Sequence, residues 1–434
     1  MSLRPSLFAS LLLLTACDLP LLQAEEEKKA ETARAMAERP VTRGVATRSP
    51  STTPLAVTQA SNGIQAGAVA QAAGDRYTGG HLPARRVTIP NPAFKSTEVA
   101  RFNEPWAMTF LPDGRLLVTE KQGRLRLINV ATKQGGEIIG VPTVAYGGQG
   151  GFGDVVLHPQ FAGNRRVYLS YAEPGSPGPG AVVARAVLNL DASGNNGNLS
   201  DVQVVWRQKK VAGNAHYSHR IAFDSSGKLW ISSGDRQQST PAQDLQSNLG
   251  KVLRLNDDGT IPADNPFVGQ GGTAPEVWSL GHRNILGLAF DASGRLWEHE
   301  MGPAGGDELN LIERGSNYGW PIVSNGSNYD GSDIPDHPTR PEFNAPEAWW
   351  TPVIAPAGFI IYTGDLFPYF RGNGFIGGLA SNALIRIQFD GNQGQEASRY
   401  AMGQRIREVE QGPDGAIWLL EDGSNARLLK LTPN

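Results

Sequence analysis

GHRNILGLAFDASGRLWEHEMGPAGGDELNLIERGSNYGW, residues 281–320, carries both the phrase that decides the fold and the residues that suggest the chemistry. Within it LGLAF and RLWEHE alternate apolar and polar side chains, and Asp291-Ala292-Ser293-Gly294 between them is turn chemistry, so a β-hairpin is predicted. The Gly302-Pro303 step that follows offers two carbonyls where proline has no N–H, and carbonyl oxygens suit a hard cation such as calcium. Arg283, ahead of the hairpin, can complement an anion beside such a cation. Taken alone, these residues fit an ordinary long loop equally well.

The hairpin phrase does not stand alone. It recurs as WAMTFLPDGRLLVTE (106–120), GDVVLHPQFAGNRRVYLSY (153–171), RIAFDSSGKLWISSGD (220–235) and VEQGPDGAIWLLED (409–422), with a looser version at GFIIYTGDLFPYFRGNGFIGGLA (358–380). Six such units with short strands between them predict an all-β chain folded as a six-bladed β-propeller. A β-sandwich is the alternative, but it would not repeat one apolar-turn-apolar phrase so consistently. TEVARF (97–102) is expected to join the last blade and close the ring, and no helix of consequence is expected after residue 90.

Composition agrees with a turn-rich β protein, since 434 residues include 52 Gly and 30 Pro. The 39 basic and 42 acidic residues nearly cancel, and no basic stripe marks a nucleic-acid face. The N-terminus reads as an address. Residues 7–14 are almost wholly apolar but too few to span a bilayer, and Leu14-Thr15-Ala16-Cys17 resembles the lipobox of bacterial lipoproteins. Residues 1–17 are therefore expected to be a lipoprotein signal peptide, with lipid attached at Cys17, the single cysteine. An ordinary signal peptide with an incidental Cys is the competing reading. Residues 18–92, rich in Ala, Ser, Thr, Pro and Gly, read as a disordered tether, and 93–434 as the propeller domain.

Loops of a propeller converge at one mouth of the central channel, and polar residues collect at the ends of these hairpins. Gln149 lies in YGGQGGFGD (146–154) and His216 opens HYSHR (216–220). Asp235 lies one hairpin length beyond His216, where a carboxylate can fix the ring tautomer that a general base requires. Arg283-Asn284 precedes the fourth hairpin. Arg405 and Arg407, two apart, face one side as a pair of guanidinium forks for a polycarboxylate. Any one of these fits a surface charge at a loop end; their repeated position argues for the group. His158, His282 and the tryptophans Trp230, Trp297 and Trp418 read as packing residues, whereas Trp349-Trp350, in a loop, suit either a sugar site or packing.

From about Phe94 to Pro433 the chain resembles the soluble aldose (glucose/sorbosone) dehydrogenases, six-bladed propellers that use pyrroloquinoline quinone (PQQ) and calcium. QDLQSNLGKVLRLNDDGTIPADNPF (243–267), GHRN (281–284), GGDELNLI (305–312), NYGWP (317–321) and IREVEQGPDGAIWLLED (406–422) are similar to that family's motifs. The resemblance implies that His216 takes the sugar hydroxyl proton, Asp235 orients it, and Arg283 stabilises charge on the quinone. It implies that Gln149, Asn284, Arg405 and Arg407 hold the cofactor, and that carbonyls of Gly302 and Pro303 bind calcium as a Lewis acid on the quinone. A second, structural calcium would draw on backbone near Glu308 and Tyr318. The implied reaction is hydride transfer from the anomeric carbon of an aldose to PQQ, giving a lactone and passing electrons to a respiratory acceptor.

The implied setting is the periplasmic face of the bacterial cell envelope, reached through the lipid anchor alone, as monomer or homodimer. The chain departs from the family at three positions. Ala380 stands where the best-studied members place a cofactor-binding Lys, Met301 where His or Gln is usual, and His219 where Gly is. A non-catalytic calcium-binding propeller that binds a glycan or a protein is the alternative reading. A calcium-dependent propeller lactonase is a weaker one, since acidic metal ligands are not evident in the sequence.

Overall fold

In the computed structural model, which describes residues 89–434, the recurring phrase forms the first two strands of one antiparallel sheet after another. After β1 (Lys95–Phe102) come β2 (Pro105–Phe110), β3 (Arg115–Glu120), β4 (Arg124–Asn129) and β5 (Gln134–Ile139). Next are β6 (Phe152–Leu157), β7 (Arg166–Glu173), β8 (Gly180–Leu190) and β9 (Gly197–Arg207). A third meander holds β10 (Ser218–Phe223), β11 (Leu229–Ser233), β12 (Lys251–Leu255) and β13 (Val277–Leu280), and a fourth β14 (Ile285–Phe290), β15 (Leu296–Glu300), β16 (Asp307–Ile312) and β17 (Ala348–Trp350). The chain continues through β18 (Pro356–Ile361), β19 (Gly374–Gly378), β20 (Ala383–Asp390) and β21 (Gln393–Ala401) to β22 (Ile406–Gln411), β23 (Ile417–Glu421) and β24 (Ala426–Thr432).

The Asp-x-Ser-Gly turns are set by local chemistry. Asp291 Oδ1 accepts the N–H of Ser293 at 2.8 Å and of Arg295 at 3.0 Å, while Gly294 takes a left-handed φ of 79°. Asp224 and Gly227 repeat the arrangement in the third meander. The first strands touch in cyclic order, β2 to β6, β10, β14, β18, β22 and back to β2, and so line an axis. Between neighbouring sheets lie apolar layers, three of which hold a tryptophan from a second strand: Trp230, Trp297 and Trp418. All three are buried, as expected for packing residues.

The last sheet runs β1-β24-β23-β22, so the stretch at 97–102 pairs with the end of the chain and closes the ring, as its sequence suggested. This all-β, propeller-like architecture contains one α-helical turn, Phe161–Asn164, among the described residues. One feature was not foreseen: β5 and β9 join edge to edge through Ile138–Ile139 against Gly197–Asn198, merging two meanders into an eight-strand sheet. Trp349-Trp350 is a correction. It lies not in a loop but on β17, where Trp350 packs in a core layer and its indole N–H donates to Glu396 at 2.7 Å. The signal peptide, Cys17 and nearly all of the tether lie outside the described residues.

Candidate active site

Two backbone positions recur around the axis at one mouth: the approach to each first strand, and the residue just past each second strand. Together they enclose a cavity of about 400 Å³, whose wall includes Trp106, Lys121, Gln149, Asn284, Arg405 and Arg407. That volume falls in the usual range for a small-molecule site.

His216 and Asp235 meet as their spacing predicted. His216 Nδ1 is 2.7 Å from Asp235 Oδ1, which leaves Nε2 as the ring nitrogen not committed to that carboxylate. The backbone N–H of His216 donates to Gln149 Oε1 at 2.7 Å, and its neighbours Tyr217 and Ser218 line the cavity. Asp235 is fully buried; Oδ1 also accepts the Gln237 N–H at 2.7 Å, and Oδ2 accepts the Trp320 indole N–H at 2.8 Å. These contacts leave the carboxylate one orientation. The backbone is strained here, since His216, Ser218, His219, Arg236, Gln237 and Ser239 all have φ between 49° and 57°. Non-glycine residues in that region cost energy and persist only where surrounding structure holds them.

His219 turns its ring away from proton chemistry. It stacks on Trp106 at 5.1 Å, bonds Ser170 Oγ through Nδ1 at 2.7 Å, and fits because Gly153 has no Cβ. Burial, followed by the Arg220 charge, holds its pKa down to about 3, so the ring is neutral. Below Trp106, at 4.1 Å from its ring, the Arg220 guanidinium ties to Glu408 across the channel axis and donates to Leu286 O at 2.8 Å. Burial, only partly opposed by Arg220, raises Glu408 to about 7.

Arg405 and Arg407 share one anion, as the i, i+2 spacing implied. Asp422 Oδ2 accepts from Arg405 Nε at 2.8 Å and Oδ1 from Arg407 Nε at 2.9 Å. Burial pushes Asp422 up, but the two guanidiniums outweigh it and hold the carboxyl below the usual range. Lys121, on the same cavity wall, has its ammonium 3.1 Å from Gly148 O; burial and then the Arg407 charge lower its pKa. Asn284 lines the cavity too, and its Oδ1 accepts from Ser218 Oγ at 3.2 Å.

Arg283 reaches sideways rather than into the main cavity. Its NH1 donates to Met301 O at 2.9 Å and Gly302 O at 2.7 Å, and its NH2 to Tyr329 Oη at 3.0 Å. Glu300 Oε2 accepts the backbone N–H of Arg283 and, at 3.1 Å, that of Asn284, so one buried carboxylate sets both residues. Asp307 does the same for the Gly-Pro step: it accepts the Gly302 N–H at 2.9 Å and the Ala355 N–H at 2.7 Å, and burial raises it to about 7. Gly302 has to be glycine, because a Cβ would come within 2.3 Å of the Gly305 and Gly306 carbonyls.

The four residues read as calcium ligands, Gly302, Pro303, Glu308 and Tyr318, line one void of about 10 Å³, enough for a single water or ion. Its lining combines residues with oxygen atoms of the kind a hard cation takes, among them Glu300, Glu308 and Ser324, with Arg283 and the apolar Met301 and Val323. His282, read from sequence as a packing residue, lies with Glu298 and Glu300 so that one ligand atom from each falls within 4.8 Å of the others. Its Nδ1 is 3.2 Å from Glu300, and burial together with the Glu300 charge raises Glu298 well above the carboxylate range. Glu298 and Glu300 share one face of β15 by their i, i+2 spacing, and the β14–β15 pairing brings His282 to them.

Sequence reading missed Trp106, Lys121, Glu300, Trp320 and Asp422. A signal was available for two of them: Lys121 and Asp422 each follow the second strand of a repeat directly, as does Met301, and all three line the cavity. Ala380, in contrast, is exposed.

The family model for glucose/sorbosone dehydrogenase matches residues 102–430. The aldose sugar dehydrogenase YliI of Escherichia coli (strain K12) is 40% identical over 354 residues, covering 79% of this chain and 94% of that protein. The crystal structure of the soluble aldose sugar dehydrogenase from Escherichia coli in the apo-form superposes with a TM-score of 0.73 at 38% identity, covering 79% of this chain and 100% of that one. The PQQ-bound form of aldose sugar dehydrogenase from Streptomyces coelicolor superposes with a TM-score of 0.65 at 28% identity, covering 78% and 99%.

Proposed function

Since the chain belongs to the glucose/sorbosone dehydrogenase family, whose members are oxidoreductases, we propose that it is a PQQ-dependent aldose sugar dehydrogenase built as a six-bladed propeller. The observation that carries this reading is the His216–Asp235 pair, 2.7 Å apart, beside a cavity walled by Lys121, Arg405 and Arg407. A cavity of that size with an excess of cations fits a flat tricarboxylate.

When bound, the quinone supplies the ring that accepts a hydride from the sugar, with calcium beside it as Lewis acid. The protein's own part is acid–base chemistry and positioning. His216 Nε2, the free ring nitrogen, takes the proton of the anomeric hydroxyl, which leaves the sugar as a lactone. Asp235 fixes the Nδ1–H tautomer and faces the positive ring that results, while Gln149 holds the His216 backbone. Arg405, Arg407 and Asn284 hold cofactor carboxylates, and Arg283 offers positive charge beside the Gly302-Pro303 carbonyls that would hold calcium. Glu308 and Tyr318, which the resemblance assigned to a second, structural calcium, line the same small void as Gly302 and Pro303.

We infer the cellular setting from the N-terminal sequence. Cys17 anchors the enzyme by lipid to the periplasmic side of the envelope, residues 18–92 tether it, and a respiratory acceptor takes the electrons. The test is reconstitution: purified protein with PQQ and calcium should reduce a dye when aldoses are added. His216→Gln should abolish turnover and retain the quinone. No turnover with any aldose and no change in quinone absorbance would leave the alternative of a calcium-binding propeller that takes up a glycan or a protein.

A further inference from the structure

The cavity wall carries more positive charge than the protein neutralises. Arg405 and Arg407 share the single carboxylate of Asp422. The third cation, Lys121, makes no ion pair among the described residues; its ammonium donates one hydrogen bond, to the neutral carbonyl of Gly148, and lies 5.9 Å from the Tyr146 ring. The nearby carboxylate that might have paired with it, Glu104, instead accepts the Tyr146 hydroxyl at 2.5 Å. Lys121 is also firmly placed. Its backbone N–H donates to Glu104 O at 3.0 Å and its carbonyl accepts the Phe152 N–H at 2.9 Å, while Gly151 lets the chain pass close to it. Burial and the Arg407 charge outweigh the pull of Glu104 and Asp422 on this half-buried ammonium, so an anion supplied by a ligand would stabilise it.

We propose that Lys121 is a cofactor-binding residue, its ammonium taking a carboxylate of the quinone beside the Arg405/Arg407 pair. The proposal rests on the quinone reading above and deepens it. It also bears on Ala380: the cation absent there, two residues past β19, is supplied from the first repeat by Lys121, one residue past β3. Lys121 reaches the cavity, whereas Ala380 is exposed.

The experiment is a titration of calcium-loaded protein with PQQ, followed by quenching of tryptophan fluorescence, which needs no turnover. Lys121→Gln should raise the Kd roughly tenfold, the effect of one charge-assisted contact at a half-open site. Lys121→Arg should restore it to within about threefold, and Lys133→Gln, an exposed charge on the β4–β5 turn, should leave it unchanged. With PQQ trimethyl ester the wild type and Lys121→Gln should bind alike. Equal affinity of wild type and Lys121→Gln for PQQ itself overturns the role of Lys121 while leaving the quinone reading intact. A wild type that binds no PQQ at any calcium concentration overturns both. Thermal unfolding of each variant checks that the fold is retained, and a misfolded Lys121→Gln is replaced by Lys121→Met for the same comparison.

Discussion

Replacing Asp235 by Asn changes one atom in the carboxylate that faces His216, and the structure gives the size of the effect. Oδ1 receives two donors, from His216 and Gln237, and Oδ2 one, from Trp320. An amide keeps its oxygen where two donors converge, so the imidazole tautomer survives, but the negative charge is lost. With a 2.7 Å contact the two charge centres lie ~4 Å apart, and an effective dielectric of ~20 then gives ~4 kcal/mol of attraction to a protonated ring. That attraction is felt only as the proton arrives, so kcat should fall ~10³-fold, within the range of general acid–base effects. The new NH₂ also meets the Trp320 N–H, which should cost ~1–3 kcal/mol of stability. The assay is dye reduction by PQQ- and calcium-loaded protein at saturating aldose, with quinone affinity measured separately. A kcat within about tenfold of wild type refutes the electrostatic role. A loss of quinone binding in proportion to the loss of rate would mean that Asp235 only shapes the cavity.

Other outcomes follow from the same contacts. Trp320→Phe removes one donor from buried Asp235 and should lower stability by ~1–3 kcal/mol in chemical denaturation, with a smaller loss of kcat than Asp235→Asn. His219, held down to about 3, favours the folded state while neutral; its contribution is complete above the unfolded value of 6.5 and is lost as pH falls toward 3. Between pH 7 and pH 5 that ring alone should remove ~2 kcal/mol, and His219→Gln should flatten the pH dependence of unfolding by the same amount. Chelating calcium from protein loaded at a hundred times its Kd should lower Tm by roughly 5 °C, a shift that Gly302→Ala should largely erase by displacing the carbonyl.

What could be read from the sequence was what is encoded within a repeat. Alternation, the Asp-x-Ser-Gly turn and the second-strand tryptophan are local, so the hairpins at 220–235 and 286–300 fall where their sequences put them. The His216–Asp235 pair was legible for the same reason, both residues lying at one end of one hairpin. What the sequence hid depends on ring closure or on lateral pairing. Lys121 and Arg407 face one cavity only because the first and last meanders are neighbours, and Trp320 reaches Asp235 from 85 residues away. Glu298 and Glu300 share a face of β15 by spacing, but His282 joins them only through the pairing of β14 with β15. The three-residue β17 was mistaken for loop because so short an outer strand carries no periodicity.

The clasp between β1 and β24 also sets an order of events during synthesis. The segment at 95–102 is made well before residues 426–432 and has no strand partner until they arrive to meet it. Until then both ends of the circle are bare strand edges, open to stray pairing with other chains. A chain halted a dozen residues early would hold nearly every residue of the catalytic mouth, yet it would have no way to fasten it.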